Sequence, residues 1–200
     1  EDNEPQHDCW HSNTSGARGQ WIRCDFKKNV VISKYKIWSR PHVTQDSVNE
    51  NSPRTWFLFG LNEDAPSSPD ISWPHLSDFS YDNTSGDTFA DIASLAESKG
   101  WIILDQQTNV TEWQVPNTDS ITNNTDFNEY YCSNQVPVKS VKLFVYTTAR
   151  NSNGDGYSYV FIGELELFSH SQDDTTTQID CSGEVILKAY GGGGSSIGGM

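Results

Sequence analysis

Asn151, Asn153 and Asp155 stand at alternate positions ahead of Gly156 in NSNGDGYSYVFIGELELF, residues 151–168. Oxygen-bearing side chains at every second residue before a turn glycine are how an EF-hand calcium loop begins. Such a loop requires an acid at its twelfth position, which here falls on Ile162. It also requires helical flanks, whereas Tyr157–Phe168 alternates as a strand does. Asn, Gly and Asp are equally the residues of a hairpin turn with positive φ, and the stretch is read as that turn. A second cluster, His7-Asp8-Cys9-Trp10-His11, holds zinc-ligand types. No second Cys/His pair lies nearby, and an oxidising compartment would commit Cys9 to a disulfide instead. Asp173 and Asp174 imitate a glycosidase acid pair, but they sit in a polar stretch where solvated charge is the ordinary explanation. There is no Gly-X-Ser-X-Gly elbow, no His-Glu-X-X-His and no phosphate loop, so the chain is expected to be no enzyme and to carry no cofactor.

The elements that position these residues read as strands. In Trp21–Phe26, Ile22, Cys24 and Phe26 share one face while Arg23 and Asp25 share the other. Ser33–Ser39 alternates in the same way, and further strands are expected over Arg54–Gly60, Trp101–Gln106, Phe127–Ser133, Ser140–Tyr146 and Tyr157–Phe168. In the last, Leu165 and Leu167 alternate with Glu164 and Glu166, the pattern of a half-buried antiparallel strand. Many short strands between polar turns predict an all-β antiparallel sandwich. One helix is expected over Thr88–Lys99, with Phe89, Ile92, Leu95 and Ala96 on one face. It lies in a long insertion, residues 62–100, expected to form a surface lobe. After Phe168 come a polar linker, the strand-like run Glu184–Tyr190 and the low-complexity stretch GGGGSSIGGM. The expected organisation is a sandwich over residues 1–169 and an appendage over 170–200.

Two hundred residues suit one large domain, and 12% aromatic residues with seven Trp indicate a globular chain. A net charge of −14 argues against nucleic acid, because phosphate binding needs a Lys/Arg surface. No apolar run is long enough for a membrane span. Four cysteines accompany four Asn-X-Ser/Thr sequons at Asn13, Asn83, Asn109 and Asn123. Together they predict a secreted, extracellular glycoprotein, and any signal peptide is expected to have been removed already. The favoured disulfides are Cys9–Cys181, joining the ends of the domain, and Cys24–Cys132, stapling two strands; Cys9–Cys24 with Cys132–Cys181 remains the rival.

Five segments in order carry a resemblance. Trp10-His-Ser12 with Gly19-Gln-Trp-Ile-Arg-Cys-Asp-Phe26, then Ser52-Pro-Arg-Thr-Trp-Phe-Leu-Phe-Gly-Leu-Asn62, then Gly100-Trp-Ile-Ile-Leu-Asp105 with Gln107-Thr-Asn109 form the first three. Val141–Tyr146 and Ile162-Gly-Glu-Leu-Glu-Leu-Phe168 complete the set. Over roughly Trp10–Ser169 the chain resembles the discoidin, or coagulation-factor C-type, domain. That resemblance implies a galactose-binding-like jelly-roll sandwich, itself non-catalytic, which binds glycans, lipid headgroups or proteins through loops at one end. In those members of the family that hold a structural calcium, an acidic residue on the last strand takes part; Glu164 matches it, and Asn3 or Asp8 would add oxygen. The family's Asp-Gly-Asn/Asp…Thr calcium loop is missing, because the corresponding stretch reads Asn3-Glu-Pro-Gln-His-Asp-Cys9.

Glycan binding calls for a flat aromatic against the sugar's C–H face and polar side chains for its hydroxyls. The candidates are Arg40, His42, Gln45 and Asp46 in one loop and Arg150, Asn153 and Tyr157 in the closing hairpin, with Trp73 and His75 of the insertion as the stacking surface. The expected function is a secreted glycan- or ligand-binding module in extracellular adhesion or assembly, with glycans or extracellular proteins as partners. The alternative is a structural subunit of an extracellular filament or coat. In that case the tail over 182–200 would pack on a neighbouring subunit by strand addition.

Overall fold

The computed structural model describes residues 10–11, 20–39, 51–62, 88–114, 127–148, 160–170 and 176–178. Nine strands and one helix appear among them: β1 (Trp10–His11), β2 (Gln20–Trp38), β3 (Pro53–Leu61), α1 (Phe89–Ser98), β4 (Trp101–Gln107), β5 (Asn128–Tyr131), β6 (Pro137–Thr148), β7 (Phe161–Ile162), β8 (Glu164–His170) and β9 (Thr176–Gln178). Every strand pair is antiparallel. The all-β reading therefore holds.

The two strands expected over Trp21–Phe26 and Ser33–Ser39 are one continuous strand that serves two sheets. The first half of β2 pairs β6, and β3 and β4 continue that front sheet. The second half pairs β8 on one side and β5 on the other, making the back sheet, which β9 extends. Between the halves the register slips from Asp25 to Val30. Such irregularities bend a strand and increase its twist, which lets one strand turn from one sheet to the other.

Alternation decides what each face buries. Trp56 and Leu58 of β3, and Val141, Leu143 and Val145 of β6, join Tyr35, Ile37, Val160, Ile162 and Leu167 in the core between the sheets. Their neighbours Phe57, Phe59 and Phe144 point the other way, onto α1. The front sheet is thus covered on both faces, and the uninterrupted apolar run Trp56–Phe59 is the sequence form of that double burial.

Helix α1 follows its expected span. Thr88 caps it: Asp91 N–H donates to Thr88 Oγ1 at 3.3 Å, and Thr88 N–H donates back to Asp91 Oδ2 at 2.7 Å. Ile92 and Ala96 are buried, and the Phe89 ring stacks on Phe57 at 3.8 Å. Gly100, at φ 85°, ends the helix in the left-handed region that a side chain disfavours. This part of the insertion lies on the sheet as a layer and not apart from it as a lobe. Within the stretch expected to be a linker, Thr176–Gln178 pairs with Phe168–His170 and widens the back sheet.

The expected Cys24–Cys132 disulfide is corrected: the two cysteines are not joined. Cys24 lies opposite Val141, Val30 opposite Val138, and the Cys132 N–H donates to the Ser33 carbonyl at 2.9 Å. Three positions along β6 and three more along β2, about 20 Å of strand at 3.3 Å per residue, lie between them. A disulfide tolerates about 7 Å between Cα atoms. Cys132 is instead a core thiol, and burial, with Asp105 adding to it, pushes its pKa up to about 12. The native protein should therefore protect Cys132 from iodoacetamide at pH 8 and expose it in urea, as peptide mass spectrometry would record. Rapid native labelling would contradict this placement. Cys9 and Cys181 lie outside the described residues.

Candidate functional site

Strand register gathers the bases of three loops at one end of the sandwich. Trp38, at the end of β2, lies opposite Glu164 at the start of β8, and Pro53, at the start of β3, lies opposite Thr148 at the end of β6. Residues 40–50 run from the first of these pairs to the second, and residues 149–159 run back. A third connection, 115–126, starts beside them: Ser39 Oγ donates to the Gln114 carbonyl at 2.6 Å, and the buried Trp113 indole N–H donates to the Pro53 carbonyl at 3.1 Å. Asn128 ties that segment to β5 by donating to the Glu112 carbonyl at 3.0 Å.

Close packing holds these bases together. A Cβ on Gly163 would meet the Ser39 carbonyl oxygen at 2.5 Å, so only glycine lets the β8 entry lie against the β2 exit. The Gly163 N–H donates to the Trp38 carbonyl at 2.8 Å. Ser52, beside Pro53, is buried, and among the described residues its hydroxyl has no hydrogen-bond partner.

Sequence reasoning missed Arg54 at this end. Its Nε and Nη2 donate to Asn109 Oδ1 at 2.9 and 2.5 Å, and Asn109 adopts φ 60°, a left-handed geometry that asparagine tolerates. The Asn109 N–H reaches Thr55 Oγ1 at 3.3 Å, and the Val110 N–H reaches the Arg54 carbonyl at 2.9 Å. The Thr-Asn pair belongs to the third of the five motif segments, but its contact with Arg54 spans fifty-five positions and leaves no local signal. Asn109 is also a sequon and is exposed.

Of the sequence candidates, Arg40, His42, Gln45, Asp46, Arg150, Asn153 and Tyr157 lie outside the described residues, on the connections whose bases meet at this end. Trp73 and His75 also lie outside them. Their segment leaves from Asn62 at the opposite end of β3 and ends at Thr88, whose neighbour Phe89 lies against Phe57 and Tyr146. Asn13, Asn83 and Asn123 are likewise outside, as are the tail, the stretch 1–9 with His7, Asp8 and Cys9 of the zinc-type cluster, and 151–159 with the Asn/Gly loop; Trp10 and His11 of that cluster form β1, opposite Ile162 and Phe161.

Glu164 is exposed at the loop base. Partial desolvation, with Glu166 two residues further along the same face, raises its carboxyl above the usual range. Among the described residues no group of three His, Cys, Asp or Glu side chains is placed to hold a metal ion. Nor is any described helix long and apolar enough to cross a membrane.

The architecture is an antiparallel β-sandwich with a helix packed outside one sheet and a set of loops gathered at one end. Residues 2–108, just over half of the chain, match the family model DUF5000, described as a domain of unknown function, and the chain belongs to that family. The family match stops just after β4, whereas the sandwich continues through β8 and β9.

No curated protein matches the sequence. Among solved structures, the SusE-like protein BT2857 is similar at 18% identity and a TM-score of 0.45, covering 84% of this chain and 50% of its own. The chain thus spans about half the length of that protein. A family 32 carbohydrate-binding module from Streptococcus pneumoniae EndoD aligns at 6% identity and a TM-score of 0.45, covering 84% of this chain and 82% of its own. The lectin domain of lectinolysin, complexed with Lewis B antigen, aligns at 15% identity and a TM-score of 0.40, covering 80% of this chain and 71% of its own.

Proposed function

We propose that the chain is a non-catalytic, extracellular glycan-binding module whose ligand sits among the loops at the Trp38/Pro53/Thr148/Glu164 end. One observation supports this above the others: the register brings the bases of segments 40–50 and 149–159 side by side. Those two segments hold nearly all the polar candidates chosen from sequence, although they lie more than ninety residues apart in the chain. In this reading Arg40, His42 and Asp46 contribute polar groups to a ligand shared with Arg150, Asn153 and Tyr157. The Arg54–Asn109 pair borders the same end.

Loops carry recognition and the paired strands hold their bases fixed, so the loops can vary in chemistry without unfolding the sandwich. The resemblance to discoidin domains points to the same end. In this reading Glu164 is a carboxylate that a bound calcium ion would use only with oxygen from Asn3 or Asp8, and the sequons place glycans on the module itself.

Calorimetric titration tests the reading. A glycan that binds the intact chain should bind Arg40→Ala and Arg150→Ala each about tenfold more weakly, since each loses a charge-assisted hydrogen bond. Unchanged affinity in both variants would move the ligand away from these loops.

A second reading rests on β9. Its outer edge pairs with no described strand, and the chain continues from it toward the strand-like run 184–190. An open edge accepts strand addition from a neighbouring subunit, which suits the filament or coat alternative. Deleting residues 182–200 should then leave monomers by light scattering.

A further inference from the structure

The outer face of the back sheet presents a three-by-three array of side chains that starts at the Trp38/Glu164 loop base and runs away from it to Tyr131 and Phe168. Tyr35 and Ile37 of β2 point into the core, so Lys34, Lys36 and Trp38 point outward. Register places Tyr131 and Phe168 on either side of Lys34, and Glu129 and Glu166 on either side of Lys36. Trp38 has Glu164 on one side, and the Phe127 ring lies 5.1 Å from its ring on the other.

Tyr131 stands out in this array. At 67% exposure it is the one large hydrophobic side chain exposed among the described residues. Its ring is also held. The Tyr131 hydroxyl donates to Glu129 Oε1 at 2.7 Å, and Lys34 Nζ donates to Glu129 Oε2 at 2.9 Å. Lys34 is itself steadied over the Phe168 ring at 4.9 Å, and Lys36 lies over the Phe127 ring at 4.0 Å. The result is a fixed, solvent-facing aromatic plane with a carboxylate and an ammonium at its edge. A carboxylate accepts about four hydrogen bonds and an ammonium donates three, so both keep capacity for a ligand.

From this geometry we infer a second saccharide site, in which a pyranose ring stacks on Tyr131 and its hydroxyls bond to Glu129 and Lys34. The charges select the ligand class. Lys34 and Lys36 are set against Glu129, Glu164 and Glu166, so the face is close to neutral on a strongly acidic chain. A polyanion gains nothing from such a face, whereas an uncharged, polyhydroxylated chain matches its alternating donors and acceptors.

The inference extends the glycan-binding proposal but does not use its loops. The two sites are distinguished by amide chemical-shift mapping with cellohexaose, xylohexaose, maltohexaose and a galactose hexamer, with a heparin hexasaccharide as the anionic comparison. The expected result is that at least one neutral hexasaccharide, and not heparin, shifts the amides of Lys34, Glu129, Tyr131 and Phe168. Tyr131→Ala should weaken that binding about tenfold, while Tyr131→Phe, which keeps the ring, should lose far less. Glu97→Ala, on the exposed side of α1 and outside both sites, should leave it unchanged. Shifts confined to Ser39, Thr148 and Gly163 would overturn this site and leave the loop site standing. Shifts confined to the sheet face would do the reverse. Preference for heparin, or Tyr131→Ala binding as well as the unaltered chain, would overturn the inference.

Discussion

Replacing Asp105 with alanine is expected to destabilise the protein by about 3 kcal/mol, the cost of breaking a buried hydrogen-bonded charge. Asp105 is 4% exposed, in the core between the sheets. Its Oδ2 accepts from the Tyr35 hydroxyl at 2.7 Å and from the Gln107 side-chain amide at 2.9 Å. The Trp56 indole N–H completes the network by donating to Tyr35 Oη at 3.0 Å. Tyr35 comes from the half of β2 in the back sheet, whereas Asp105, Gln107 and Trp56 belong to the front sheet, so the network pins the layers in one register. Burial, followed by the Asp105 charge, holds the Tyr35 phenol well above its ordinary pKa, so it stays a donor. Alanine would strand that donor in an apolar core. For a chain of this size the melting temperature should fall by roughly 6–12 °C, as thermal unfolding followed by circular dichroism would measure. Gln107→Ala, which leaves the Tyr35–Asp105 bond intact, should cost only about 1 kcal/mol. Equal losses in the two variants would contradict this division.

The second large effect has the opposite sign. Lys142 is 1% exposed, in the layer between the front sheet and α1, where its neighbour Phe144 is also buried. Its Nζ lies 4.3 Å from the Trp21 ring centroid and 4.6 Å from that of Trp101. Burial pulls its pKa down to about 6, the Arg23 guanidinium lowers it further, and Asp25 works against both. The indole faces return part of the lost hydration to the cation. Lys142→Met keeps the volume and removes the amine, so at pH 6 it should stabilise the fold by about 2–3 kcal/mol.

The sign with pH follows from proton counting. Between about pH 6 and the ordinary lysine value of 10.5, the unfolded chain holds a proton that the folded chain does not. Stability therefore rises with pH across that window, by at most about 1.4 kcal/mol per unit from this group, and the full penalty applies below it. Urea titrations at pH 6 and pH 9 should show that slope in the unaltered chain and a flatter one in Lys142→Met. A variant less stable at pH 6 would mean that the indoles hold the ammonium more strongly than burial disfavours it.

The fold was legible wherever a local pattern reports the environment. Leu165 and Leu167 turn inward and Glu164 outward, as their alternation indicates, and α1 buries Ile92 and Ala96 on the expected face. Lys142 was not legible. Val141, Leu143 and Val145 point to one core, and a lysine between them reads as solvent-facing unless a helix distant in sequence is known to cover that side. The continuation of β2 through Lys28 and Asn29 was hidden because exposed polar residues at a strand irregularity look like a turn. Cys24 and Cys132 look pairable because sequence gives no measure of the distance along the strands between them. Tyr130 and Tyr131 are adjacent and equivalent in sequence, yet one stacks on Tyr35 at 5.3 Å and the other faces solvent. For the gathered loop end, the motifs supplied the candidate residues and the long-range register supplied their proximity.

A glycan array probed with the intact chain tests the central claim most directly. The expected result is retention on a restricted set of related glycans, competed by the free sugar and reduced by Arg40→Ala or Arg150→Ala. Failure to retain any glycan, from a chain whose cooperative unfolding shows that it is folded, would contradict the account.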